Sequence, residues 1–181
     1  MTDARPTTPT HYSSINDDIL GEVERDLAFR PCGVDNPRTL EREQIDRFNE
    51  RGFVLPVSVF SEAEIASVRG YFDDLLARVL ATGKNQYSIS TAHMKYGRVY
   101  DLLTEPRLTA AVGDLLGPSF VGWGSHFFCK MPRDGKTVSW HQDASYWPMT
   151  PAKTATVWLA VDDADTDNAC MRFLPSSHTH G

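Results

Sequence analysis

The chain of 181 residues has few cysteines, no long apolar run and no basic run. Cys32, Cys129 and Cys170 are odd in number and far apart, and no Cys-x-x-Cys pair occurs. A disulfide framework, a thioredoxin-type redox site and a cysteine-rich zinc site are therefore excluded, and three thiols in a reducing compartment are expected. No apolar stretch approaches the roughly 18–20 residues of a membrane span. The polar start from Met1 to Thr10 lacks the hydrophobic segment of a secretory signal. A net charge of −6, with 24 acidic against 18 basic residues and no Lys/Arg block, disfavours nucleic acid as a partner. The expectation is a soluble, cytoplasmic protein; nothing in the sequence fixes an oligomeric state.

What is present is a chain that changes character midway. Residues 1–37 read as a flexible tail, broken by Pro6, Pro9, Pro31, Pro37 and Gly33, although Ile19 to Phe29 has the makings of a short helix. From about Leu40 to Arg51 a helix is predicted, with Thr39 as its N-cap, Ile45 and Phe48 on one face, and Gly52 as its left-handed stop. Phe53 to Val59 contains Pro56 and reads as an edge strand. Ser61 and Glu64 form a capping box, and Phe60 and Ile65 occupy staple positions. Ile65, Val68, Phe72, Leu75, Leu76 and Val79 then mark one face of a helix ending near Ala81. A third helix starts at Pro106, carries Leu108, Val112, Leu115 and Leu116, and stops at Gly117–Pro118. Such stripes mark core packing rather than cofactor contacts. Beyond Pro118 the segments Phe120–Met131, Val138–Tyr146, Thr154–Asp162 and Ala169–Leu174 read as strands, separated by the polar turns Pro132–Lys136 and Asp163–Asn168. Helices followed by strands predict an α+β chain with an antiparallel β part.

The chemistry-bearing stretch is Trp140-His141-Gln142-Asp143. Residues i and i+2 of an extended chain project to the same side. His141 and Asp143 can then reach one metal ion, supplying two members of the facial triad that holds non-haem Fe(II) with open positions. On its own, a His-x-Asp tripeptide reads more readily as an ordinary hydrogen-bonded pair.

Its surroundings decide between these readings. Gly117-Pro118, Ser125 to Pro132 (SHFFCKMP), Trp140 to Pro148 (WHQDASYWP), Thr156 to Asp163 (TVWLAVDD) and Asn168 to His178 (NACMRFLPSSH) follow in order and spacing. Together they resemble the phytanoyl-CoA dioxygenase family over about Leu40 to Gly181. The resemblance implies a double-stranded β-helix (jelly-roll, cupin-like) core flanked by N-terminal helices. It also implies Fe(II), 2-oxoglutarate as co-substrate, and O2, used to hydroxylate an unactivated carbon of a small metabolite or natural-product intermediate. By the same resemblance His141 and Asp143 are metal ligands and catalytic, and Trp158 lines the 2-oxoglutarate pocket. Lys95, His126 and Phe127 fall near co-substrate-binding positions, and Tyr146 and Trp147 near the substrate. Asp143 argues against a halogenase, which has a small residue there.

Two departures stand out. Ala169 and Ser176 occupy positions where the family commonly has glycine, so the local loops are expected to differ if positive φ is required. The family's distal histidine ligand and its 2-oxoglutarate-binding arginine lie beyond the Pro-x-Ser-His motif, and a jelly roll cannot close within about 38 residues of Asp143. His178 matches a non-ligand position, and a terminal His180 would be poorly held. The expectation is that residues 38–181 form the N-terminal part of a longer jelly-roll domain. The competing readings are a binding protein or inactive paralogue on the same scaffold, and a zinc hydrolase using a later histidine. Metal analysis with 2-oxoglutarate titration separates them.

Overall fold

A computed structural model describes residues 24–180. Among the described residues four α-helices come first: α1 (Arg42–Arg51), α2 (Glu62–Ala81), α3 (Gly97–Leu103) and α4 (Pro106–Leu116). Single 3₁₀ turns lie at Gln86–Ser88, Ala92–Met94, Asp143–Tyr146 and Ser177–His180. Residues 1–23, including Ile19 to Val23 of the Ile19–Phe29 segment, lie outside the described residues, and residues 24–29 carry no helix.

The helix ends are set by local chemistry. Ser61 caps α2, with its hydroxyl accepting from the Glu64 N–H and the Glu64 carboxylate accepting from the Ser61 N–H at 2.8 Å. Arg107 and the Ser61 contacts pull the Glu64 carboxyl down to about 2. Gly52 closes α1 at φ 84°, its N–H donating to the Phe48 carbonyl. The α1 cap is Glu41, not Thr39 as expected, and Gln44 Oε1 accepts its N–H at 2.9 Å. The cause is distant in sequence. The Asp114 carboxylate accepts the N–H groups of Arg38, Thr39 and Leu40 at 2.7–2.9 Å, holding those residues in a turn ahead of the helix. Helix α3 was not anticipated, although Val99, Leu102 and Leu103 have helical spacing.

Two clusters form the core. Phe72 and Leu75 of α2 meet Ile89, Ala92 and Val99, with Phe127 and Cys129 packed against them. Ile45 of α1 and Leu115 of α4 meet Leu40, with Cys32, Phe48 and Val57 alongside. Both clusters use the apolar stripes read from sequence, which is the burial that stabilises amphipathic helices.

Residues 24–37 are not free, contrary to the tail expectation. Cys32 N–H donates to Asn49 Oδ1 at 2.7 Å, Asn49 Nδ2 donates back to the Cys32 carbonyl at 2.8 Å, and Gly33 N–H reaches the Leu115 carbonyl. Backbone–backbone and backbone–side-chain bonds of this kind leave no apolar signature in sequence.

Past Gly117 the chain carries no α-helix and no β-ladder among the described residues; the lone bridge joins Ser90 and His126 in antiparallel sense. Hydrogen bonds from an extended segment must go to another segment, unlike those of a helix. These segments are held instead by separate ties to the helical part. Asp134 Oδ2 accepts from the Tyr87 hydroxyl and Gln86 Nε2, Arg69 pairs with Asp162, and Ser176 N–H donates to the Arg51 carbonyl.

Candidate metal centre

His141 and Asp143 meet as the i, i+2 spacing predicts. Gln142 is extended (φ −115°, ψ 129°), and the chain turns into the 3₁₀ turn at Asp143 itself. His141 Nε2 lies 3.3 Å from Asp143 Oδ1, with both side chains partly exposed. His141 Nδ1 is 2.7 Å from the Ser139 carbonyl oxygen. A carbonyl only accepts, so Nδ1 carries a proton, and Nε2 is the nitrogen that faces the carboxylate. A deprotonated Nε2 and a carboxylate oxygen facing one another are what a divalent cation binds. A ligand histidine whose other nitrogen donates to a backbone carbonyl is the usual outer support of such a site. Asp143 Oδ2 accepts from the Thr156 hydroxyl at 2.5 Å, which orients the free oxygen toward His141. The donor set therefore fits a metal, with two ligands held from behind.

Among the described residues no group of three or more His, Cys, Asp or Glu converges on one point. His178 stands elsewhere: its Nε2–H donates to the Asn49 carbonyl at the end of α1, and its ring lies edge-on to Phe29.

The remaining candidates divide. Tyr146 lies edge-on to His141, ring centroids 5.6 Å apart. Trp158, two residues from Thr156, packs beside Phe128 at 5.8 Å, and Phe128 packs against His126 at 4.6 Å. Burial holds the His126 imidazole below its ordinary pKa, favouring the neutral ring. Phe127 points to the opposite side and stacks on Phe72 in the helical core. Lys95 lines a separate groove with Arg78, Lys84 and Tyr96, in which none of the residues around His141 takes part. The Trp147 carbonyl accepts from Arg25, and its side chain is half-buried. Sequence reasoning missed Ser139 and Thr156 as supports. Thr156 was legible in principle, since it shares a strand face with Trp158; Ser139 acts through its backbone and leaves no trace in residue type.

Ala169 and Ser176 both adopt positive φ, 68° and 67°, so the turns keep the left-handed geometry despite the missing glycines.

Comparison with known proteins gives a consistent picture. The family model for Phytanoyl-CoA dioxygenase (PhyH) matches residues 48–181. Phytanoyl-CoA dioxygenase domain-containing protein 1 of Mus musculus is 31% identical over 115 residues, covering 62% of this chain and 40% of that protein. Methylphosphonate hydroxylase of Gimesia maris is 26% identical over 155 residues, covering 79% and 59%. The peroxisomal phytanoyl-CoA dioxygenase of Bos taurus is 24% identical over 161 residues, covering 77% and 48%. The chain spans about half the length of these curated relatives. No solved structure matches it significantly. With the family's match running through the His141–Asp143 pair and most of the chain, the protein belongs to the phytanoyl-CoA dioxygenase family.

Proposed function

We propose that the protein containing this chain is an Fe(II)- and 2-oxoglutarate-dependent dioxygenase that hydroxylates an unactivated carbon of a small molecule. The observation that carries this reading is the His141–Asp143 pair, whose Nε2 and Oδ1 face each other while Nδ1 and Oδ2 are tied to Ser139 and Thr156. His141 and Asp143 would hold Fe(II), which when bound supplies O2 activation coupled to decarboxylation of 2-oxoglutarate. The protein's own part is to orient. Trp158, with Phe128 behind it, offers a flat wall to the co-substrate, and Tyr146 offers a ring to the substrate side. The relatives' names, a phytanoyl-CoA dioxygenase and a methylphosphonate hydroxylase, support the reaction type and differ in substrate. The jelly-roll scaffold that goes with the family would cover Val121, Trp140 and Phe128, which are more than half exposed.

The test is Fe-dependent succinate formation by the full-length protein. Asp143→Ala removes a charged ligand, and a loss of about a hundredfold or more is expected from losing the metal. Unchanged turnover in that variant overturns the assignment. Stoichiometric iron with no turnover in the unaltered protein points instead to a binding role on the same scaffold.

A further inference from the structure

The turn that begins at Asp143 is closed from outside by the segment that sequence patterning placed in the tail. Within the Asp143–Tyr146 turn, Ser145 N–H donates to the Gln142 carbonyl and Trp147 N–H to the Ala144 carbonyl. The carbonyls at its far end point outward, as the last carbonyls of any helical turn do. One nitrogen of Arg25, Nη1, donates to both the Ser145 and the Trp147 carbonyl oxygens at 3.0 Å each. The next residue continues the tie. Asp26 N–H donates to Thr150 Oγ1 at 3.1 Å, and Ala152 N–H donates to the Asp26 carbonyl at 2.9 Å. Arginine near the carbonyl end of a helical turn is favourable both as a donor and as a charge.

We propose that Arg25 is a positioning residue for the His141–Asp143 pair. It closes the turn whose first residue is Asp143 and whose last is Tyr146, the ring that lies against His141. Thr156 fixes the Asp143 carboxylate from one side, and Arg25 fixes the backbone that carries it from the other. Freed of Arg25, the turn can rotate, and Oδ1 and the Tyr146 ring lose their common register with Nε2. The catalytic meaning of this role rests on the metal reading above.

The experiment uses the full-length protein with Co(II) as the probe, read by its visible absorption, together with amide hydrogen exchange. In Arg25→Ala, exchange at Ser145, Trp147 and Met149 rises about tenfold while the amides of α2 are unchanged. The Co(II) dissociation constant rises about tenfold, the scale of losing an outer support of a metal ligand. Arg25→Lys, which keeps a cation able to reach a carbonyl, recovers part of both. Thr150→Val loosens the same segment through Asp26 and shifts both readouts in the same direction by less, which serves if Arg25→Ala does not fold. Faster exchange with unchanged Co(II) affinity overturns the positioning role and leaves a simple tether; so does an increase in exchange spread evenly over α2. A wild-type protein that takes up no Co(II) overturns the oxygenase reading and the positioning role together, whereas binding indifferent to Arg25 overturns the positioning role alone.

Discussion

The helical part before Gly117 and the extended part after it solve the same problem in opposite ways. Helices α1 to α4 satisfy their backbone groups internally and bury their stripes against one another, so Leu75 is fully buried and Ile45 almost so. The extended part has neither provision. Its backbone bonds go to scattered partners, and Val121 is 82% and Trp140 69% exposed. Yet the His141–Asp143 pair and its aromatic surroundings sit in this second part. The first region holds the buried core and the second the His141–Asp143 pair, and ties such as those at Asp134, Asp162 and Ser176 join the two.

The largest expected effect tests that division directly. Leu75→Ala removes a side chain from the centre of the first core cluster and is expected to cost about 2–5 kcal/mol, measured by urea unfolding. Phe128→Ala, at an exposed site, is expected to stay within about 0.5 kcal/mol. Equal costs would show that the extended part has a core of its own.

Next in size is Asp114, which joins the end of α4 to the start of α1. Burial alone would raise its pKa, but the N–H groups of Leu40, Arg38 and Thr39 outweigh burial and hold the carboxyl below its usual value. The unfolded chain therefore takes up this proton first as pH falls. The contribution to stability is complete above the unfolded pKa of about 3.9 and is lost as pH drops through the lower folded value. Asp114→Asn turns an amide N–H₂ toward backbone donors and is expected to cost about 1.5–3 kcal/mol at pH 7. In urea titrations the gap between variant and wild type narrows toward pH 3; a gap independent of pH would remove the charge from this explanation.

How far the sequence disclosed all this follows the same division. Ser61 with Glu64, Gly52 and Gly117 were legible because caps act over three or four residues. Thr39 misled as a cap because its N–H is claimed by Asp114, 75 positions away. The period-two segments read as strands, but the pairing of strands is non-local and cannot be read from one segment. In the site, His141 and Asp143 stood out through the motifs around them more than through their own type and spacing. Ser139 acts by its carbonyl and Arg25 across 120 positions, so neither leaves a local pattern. Phe127 and His126 were offered together; the alternation of an extended chain separates them, one onto Phe72 and the other toward Phe128 and Trp158.

A third prediction sharpens the separation of chemistry from stability. Thr156→Val removes the hydroxyl that holds Asp143 Oδ2 and keeps the side-chain shape. Metal affinity is expected to fall about tenfold, the scale of losing one outer hydrogen bond to a ligand. The thermal midpoint is expected to stay nearly constant, because Thr156 lies exposed. Unchanged affinity would mean that the carboxylate is held by other means.

The smallest effect has the opposite sign. Ala169 sits at φ 68° in a turn that is fixed from several directions. Asn168 Nδ2 donates to the Asp163 carbonyl, Asp165 N–H donates to Asn168 Oδ1, and Cys170 N–H donates to the Asp165 carbonyl. A Cβ in the left-handed region costs roughly 1–2 kcal/mol, which these bonds oblige the turn to bear. Glycine removes that cost but frees the unfolded chain by about 0.4–1 kcal/mol. Ala169→Gly is therefore expected to stabilise the protein by up to about 1 kcal/mol. Ser176, at φ 67°, provides the control, because its hydroxyl donates to the Glu50 carbonyl at 3.0 Å. Ser176→Gly relieves the same strain and loses that bond, one of the ties to α1, so its net effect is expected near zero. A destabilised Ala169→Gly, or two variants that gain equally, would show that the turns are set by something other than the balance between backbone strain and the bonds that enforce it.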